Sequence, residues 1–231
     1  MSTDRREFLG ALVGAGLVLD GRSVRRYLGM APGPVRLPTD RPPAAPRAEW
    51  DVSWTAKISG AHRAVFDSPE ISEGLGLLRA LVWIKDYGEV YGAAPAEMSA
   101  VVVLRHNAIW MVMNDEFWSH FGIGAVTKIN DPKTRLPIKR NPFLGPTPFA
   151  DLPHEVADNV LTTVLGTATV LACNLAIQDV VEKVKAHAGG DDAKARAMAL
   201  EHVVPGIILQ PSGVFAVTRA QEAGCQYMLA S

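Results

Sequence analysis

Ala100-Val101-Val102-Val103-Leu104-Arg105 sets five apolar residues in succession and closes them with a cation. A strand that is apolar at odd and even positions alike is covered on both faces. That is the condition of a parallel sheet flanked by helices. Upstream, residues 62–67 carry Ala64, Val65 and Phe66 and read as a first strand. Ser68 then offers an N-cap and Pro69 suits a first helical position. A helix is expected to about residue 87, with Leu77, Leu78, Leu81 and Ile84 at helical spacing and Gly88 as its stop. Downstream, 107–121 reads as a helix carrying Ile109, Trp110, Met113, Phe117 and Phe121. Asp151 can cap another through 165. A third strand is expected at 167–172, with Cys173 and Asn174 at its end, then a helix to about 187 stopped by Gly189-Gly190. A short helix at 191–200, a strand at 206–210, a helix from Pro211-Ser212 to Gly224 and a strand at 225–229 complete the chain. Strand and helix in alternation imply an α/β three-layer sandwich around a mainly parallel five-stranded sheet.

The 231 residues include 23 basic and 24 acidic ones, and 48% are hydrophobic, which suits a chain with a packed core. Residues 1–47 hold eight Arg against four acidic residues, leaving 15 basic and 20 acidic residues in 48–231. A body with net negative charge and no basic cluster argues against nucleic acid as a partner. Arg5-Arg6-Glu7-Phe8-Leu9 and the uncharged stretch 8–19 read as a twin-arginine-type export signal or N-terminal anchor, taken as 1–30. Periplasmic localisation is then expected, with membrane contact only through that segment. Residues 31–49 read as a Pro-rich linker. Residues 50–231 form the α/β domain, interrupted at 123–153 by a Pro-rich connection. A connection of that length is expected to be functional or an oligomer contact.

Ligands in open α/β sheets bind beyond the carboxyl ends of the strands. Those ends carry Asp67, His106 with Asn107, Cys173 with Asn174, and Ser212 with Gly213. Cys173 is the leading candidate. A thiol at a helix N-terminus faces unpaired N–H groups, which favour the nucleophilic thiolate. An inert, buried cysteine is the competing reading. His106 can move a proton beside a thiolate or be a structural histidine, and Asp67 can act or cap the first helix. Ser212 and Gly213 read as an N-cap with a close backbone. Arg63, Arg105 and Arg140 read as surface or loop cations, any of which could meet an anionic sulfur substrate. In a parallel sheet, Cys225 at the start of strand five lies about 15 Å from Cys173. That is too far for a disulfide, a separation that an antiparallel fifth strand would remove. No Walker A sequence and no G-x-G-x-x-G follows the first strand, and no Cys/His spacing reads as zinc-binding. No cofactor is expected.

Three segments resemble the DsrE/DsrF-like proteins, small α/β subunits of sulfur-relay systems. They are 62–67 with its following helix, Thr169-Val170-Leu171-Ala172-Cys173-Asn174-Leu175-Ala176, and Val204-Pro205-Gly206 through Pro211-Ser212-Gly213-Val214 to Gln221-Glu222-Ala223-Gly224. The resemblance covers about residues 55–230. It implies assembly into homo- or hetero-oligomers, often trimers or hexamers. It also implies that a cysteine at the position of Cys173 carries a persulfide between a sulfur donor and an acceptor protein. Members lacking that cysteine serve as structural partners. The export-type N-terminus, the linker and the 123–153 segment depart from the family pattern. The expectation is an exported sulfur carrier or transferase using Cys173, with His106, Asn107, Asn174, Asp67, Ser212 and Gly213 around the substrate. The alternative is an oligomeric small-ligand or partner-binding module with an inert Cys173.

Overall fold

The structure, a computed structural model, describes residues 50–231. The export-type segment 1–30 and the linker 31–49 lie outside the described residues. Among the described residues, no helix is long and apolar enough to cross a membrane.

Five strands form one sheet in the order β4-β3-β2-β1-β5: β1 His62–Ser68, β2 Met98–Leu104, β3 Thr169–Cys173, β4 Ile208–Gln210 and β5 Gln226–Leu229. Every pairing is parallel. β2 is central and buried along its whole length, as its unbroken apolar run requires. The helices are α1 Leu75–Tyr91, α2 Asp115–Phe121, α3 Ile123–Thr127, α4 His154–Ala157, α5 Val160–Thr167, α6 Asn174–Ala188, α7 Asp192–Glu201 and α8 Gly213–Glu222.

The strand order dictates the layers. From β1 to β4 each connection steps the same way across the sheet, so right-handed crossovers stack their helices on one face. The last connection, β4 to β5, runs back the other way and must cross the opposite face. There α8 packs beneath β1, β2 and β3. The first face holds the larger core, including Phe66, Leu104, Phe117, Trp118, Leu161 and Ile177. The second holds a smaller one of Trp54, Val65, Val101, Val103, Leu171, Ala216 and Cys225.

Several boundaries differ from the sequence reading, each for a local reason. The first helix starts at Leu75, because Ser68 ends β1 and Ser72, Glu73 and Gly74 take φ of 38°, 56° and 85°, outside any right-handed helix. It passes Gly88 and stops at Gly92, whose φ of 68° lets its N–H return to the carbonyl of Gly88. The expected 107–121 helix is two pieces: a 3-10 segment His106–Val112, then α2. Met113 bridges to Val203 between them, and Asn114 caps α2 by accepting from the Phe117 N–H. The 151–165 helix is likewise split into α4 and α5, with Asn159 at φ 55° between them. β3 extends one residue further than expected, so Cys173 is its last residue, and Cys225 lies just before β5.

The 123–153 segment is exposed only in part. Ile123, Ile129, Ile138, Asn141 and Phe143 are buried within it. Fully enclosed Asn141 donates to the carbonyls of Met111 (2.8 Å) and Met113 (2.7 Å) and accepts from the Phe143 N–H (2.9 Å). The segment is thereby sewn into the larger core. The aromatic residues of 106–121 face the same core, while residues 132–137 of the segment stay exposed, Leu136 among them.

Candidate functional site

β3 and β4 are neighbours whose following helices leave to opposite faces, α6 above and α8 below. This is the topological switch point of the sheet, where a crevice must open beyond the carboxyl ends. A cleft of about 280 Å³ lies there, lined by Arg105, His106, Cys173, Leu175, Ala176, Asp179, Ser212, Gly213 and Val214. Four of the seven residues expected around the site, His106, Cys173, Ser212 and Gly213, thus meet in one cavity.

Cys173 ends β3 and is the N-cap residue of α6, with no capping bond from its side chain. It is 6% exposed and lines the cleft. Its register partner, Gln210, is fully buried and donates through Nε2 to the carbonyls of Asp51 and Leu209. The Gln210 Oε1 has no partner among the described residues. Ser212 caps α8 by accepting from the Phe215 N–H at 3.0 Å. His106 stands exposed at the lip with φ 47°, a conformation that costs a non-glycine residue about 1 kcal/mol or more.

Asp67, Asn107 and Asn174 are engaged elsewhere. Asp67 neither caps the first helix nor lines the cleft; it is 3% exposed and clamps Arg105. Arg105 Nε donates to Oδ1 at 2.6 Å and Nη2 to Oδ2 at 2.9 Å, and the Tyr227 hydroxyl donates to the same Oδ2 at 3.0 Å. The hydrogen bonds that Arg105 donates to Asp67 raise its pKa despite partial burial. Asn107 donates to Glu70 at 2.8 Å and faces a different hollow. Asn174 accepts from Arg196 on α7 and does not line the cleft.

The residue that sequence reading undervalued is Arg105, taken there as one of three surface or loop cations. The signal was available: Asp67 and Arg105 close consecutive strands, and consecutive strands in such folds are usually neighbours. Gly213 owes its identity to the same residue. A Cβ at 213 would sit 2.5 Å from the Cδ of Arg105 and 2.8 Å from its Cβ. The two cysteines are free and lie in separate cores on opposite faces of the sheet. Burial pushes the Cys225 thiol up to about 11, with Arg63 pulling weakly the other way. Among the described residues, no group of three or more His, Cys, Asp or Glu is arranged to hold a metal ion.

No family model matches the chain, and no curated protein matches it either. Among solved structures the chain is similar to a protein of unknown function from Methanobacterium thermoautotrophicum. The two are 15% identical, with 73% of this chain and 98% of that one covered at a TM-score of 0.37.

Proposed function

We propose that the protein is a DsrE-like sulfur carrier or transferase in which Cys173 accepts sulfane sulfur and passes it on as a persulfide. The observation that carries this reading is the thiol of Cys173 at the switch-point cleft, with Arg105, His106 and Ser212 around the same small volume. In the loading step the Cys173 thiolate attacks the outer sulfur of a donor persulfide. A new S–S bond forms at Cys173, the donor S–S bond breaks, and the donor thiolate leaves with the electron pair. Delivery to an acceptor thiolate reverses the step, so no oxidant is consumed. Export through the 1–30 segment would set this chemistry in the periplasm, with a donor or acceptor protein as partner. Assembly into a homo-oligomer, trimer or hexamer, belongs to the same proposal. The open edge strand β5, with Tyr227, Met228 and Leu229 exposed, is a surface such an assembly could cover.

The test is intact-mass spectrometry after incubation with a persulfide donor. A gain of about 32 Da per sulfur that disappears in Cys173→Ser is expected, and a gain that survives the substitution overturns the reading. The 6% exposure of Cys173 favours one competitor, a non-catalytic ligand- or partner-binding module with an inert thiol. Thiol labelling of the native protein separates the two: protection of Cys173 until unfolding supports the module, and labelling of the folded protein supports the carrier.

A further inference from the structure

Arg105 commits Nε and Nη2 to Asp67, and its Nη1 has no acceptor among the described residues. The guanidinium cannot swing away. Its stem lies against Gly213 at the first turn of α8, and the Asp67 carboxylate that grips it is itself buried and tied to Tyr227. A planar cation held on one edge and open on another is pre-organised to receive an anionic group.

The rest of the cleft agrees. The N-termini of α6 and α8, helices of 15 and 10 residues, both open onto it, bringing the positive ends of two helix dipoles together. Leu175 and Val214 stand exposed at the rim of the cleft and Ala176 is buried within it, giving it an apolar border. The volume suits a small molecule rather than a folded domain. Asp67 already balances the Arg105 charge, and exposed Asp179 adds a negative charge to the lining. One compact anionic group fits this balance, and a polyphosphate chain does not.

We infer that Arg105 is a specificity-determining residue that anchors the anionic head of a small sulfane-sulfur donor while the donor's reactive sulfur meets Cys173. This rests on the sulfur-carrier reading above. The shared chemistry is a sulfane sulfur a short distance from an oxyanion, supplied either by thiosulfate or by an amino-acid persulfide. With thiosulfate, the Cys173 thiolate attacks the sulfane sulfur, the S–S bond to the sulfonate sulfur breaks, and sulfite leaves with the electron pair. With an amino-acid persulfide, the amino-acid thiolate leaves and the carboxylate is the group held.

The test compares alkylation of Cys173 in the folded full-length chain by iodoacetate, which is anionic, and iodoacetamide, its neutral analogue. Peptide mass mapping separates Cys173 from Cys225. The native protein is expected to favour iodoacetate relative to free cysteine, and Arg105→Gln to lower the iodoacetate-to-iodoacetamide ratio by about fivefold or more. Gly213→Ala, which displaces Arg105 without removing its charge, is expected to lower the ratio too, and it guards against a folding defect in Arg105→Gln. An unchanged ratio in both variants overturns the inference, as does equal slowing with both reagents or no labelling of folded Cys173 by either. Incubation with thiosulfate and, separately, with cysteine persulfide then identifies the donor by the gain of about 32 Da. An Arg105-dependent ratio without loading from either donor keeps the anion site and removes the sulfur reading. Loading with an Arg105-independent ratio does the reverse.

Discussion

Asp67 and Arg105 show how much rests on one pair of side chains. The carboxylate is almost enclosed while the guanidinium side chain keeps 22% of its surface. Removing one partner of such a pair leaves a buried charge or polar group without compensation. Asp67→Asn is expected to destabilise the fold by about 2–4 kcal/mol, measured as a lower denaturation midpoint. It should also release Arg105 from its fixed position. The two cysteines give a second expectation. With its thiol pushed up to about 11, Cys225 is almost entirely protonated near neutrality and should resist alkylation in the folded protein. Rapid labelling of Cys225 at neutral pH would contradict this. In the candidate site, Cys173, His106, Ser212 and Gly213 were legible from the sequence because strand ends and helix starts leave local marks. Asn107 and Asn174 sit at equally marked positions but turn to Glu70 and Arg196. Those partners are distant in sequence, so nothing local announces them.

Among the elements, the region between β2 and β3 depends on long-range ties more than on helix propensity. Asn141 satisfies two carbonyls left over where the 106–121 segment breaks, and anchors Phe143. Asn141→Ala would orphan three buried backbone groups, with an expected cost of about 3 kcal/mol or more. Thermal unfolding measures it, and a change below about 1 kcal/mol would mean the segment is held some other way. Gly124 marks another tie. A Cβ there would collide with the backbone of Ile138, so Gly124→Ala should loosen α3 from the strand-like pair at Asn130 and Pro137. The division of 107–121 was hidden because Ala108 through Met113 are all buried, and a run covered on every side carries no 3.6-residue period to read. α6, with one covered face, was legible almost to its ends, whereas α1 begins six residues later and ends about four residues later than its sequence pattern indicates.

At the level of the whole molecule, β2 lies at the centre of the sheet and β5 at an open edge with all four residues exposed. Amide hydrogen exchange is expected to be slowest in β2 and fastest among the strands in β5, since edge strands open with less loss of packing. Protection of β5 equal to β2 would show that another chain covers it. The pH dependence of stability follows from Cys225. Its folded value exceeds the unfolded one, so its contribution is complete below the ordinary thiol value of 9.0 and is lost as pH rises through about 11. Cys225→Ala should therefore flatten the alkaline decline of the unfolding free energy over that range.

The apolar run 100–104 and the alternation around it were enough to establish an α/β sandwich on a parallel sheet, with a thiol and a serine cap at its carboxyl edge. Burial on both faces and the change from strand to helix are recorded residue by residue along the chain. The strand order, the switch point between β3 and β4, the Asp67–Arg105 clamp and the folding-in of residues 123–153 came only from the tertiary structure. Each joins groups tens of residues apart, and the energy that selects such pairings resides in the assembled core rather than in any local stretch.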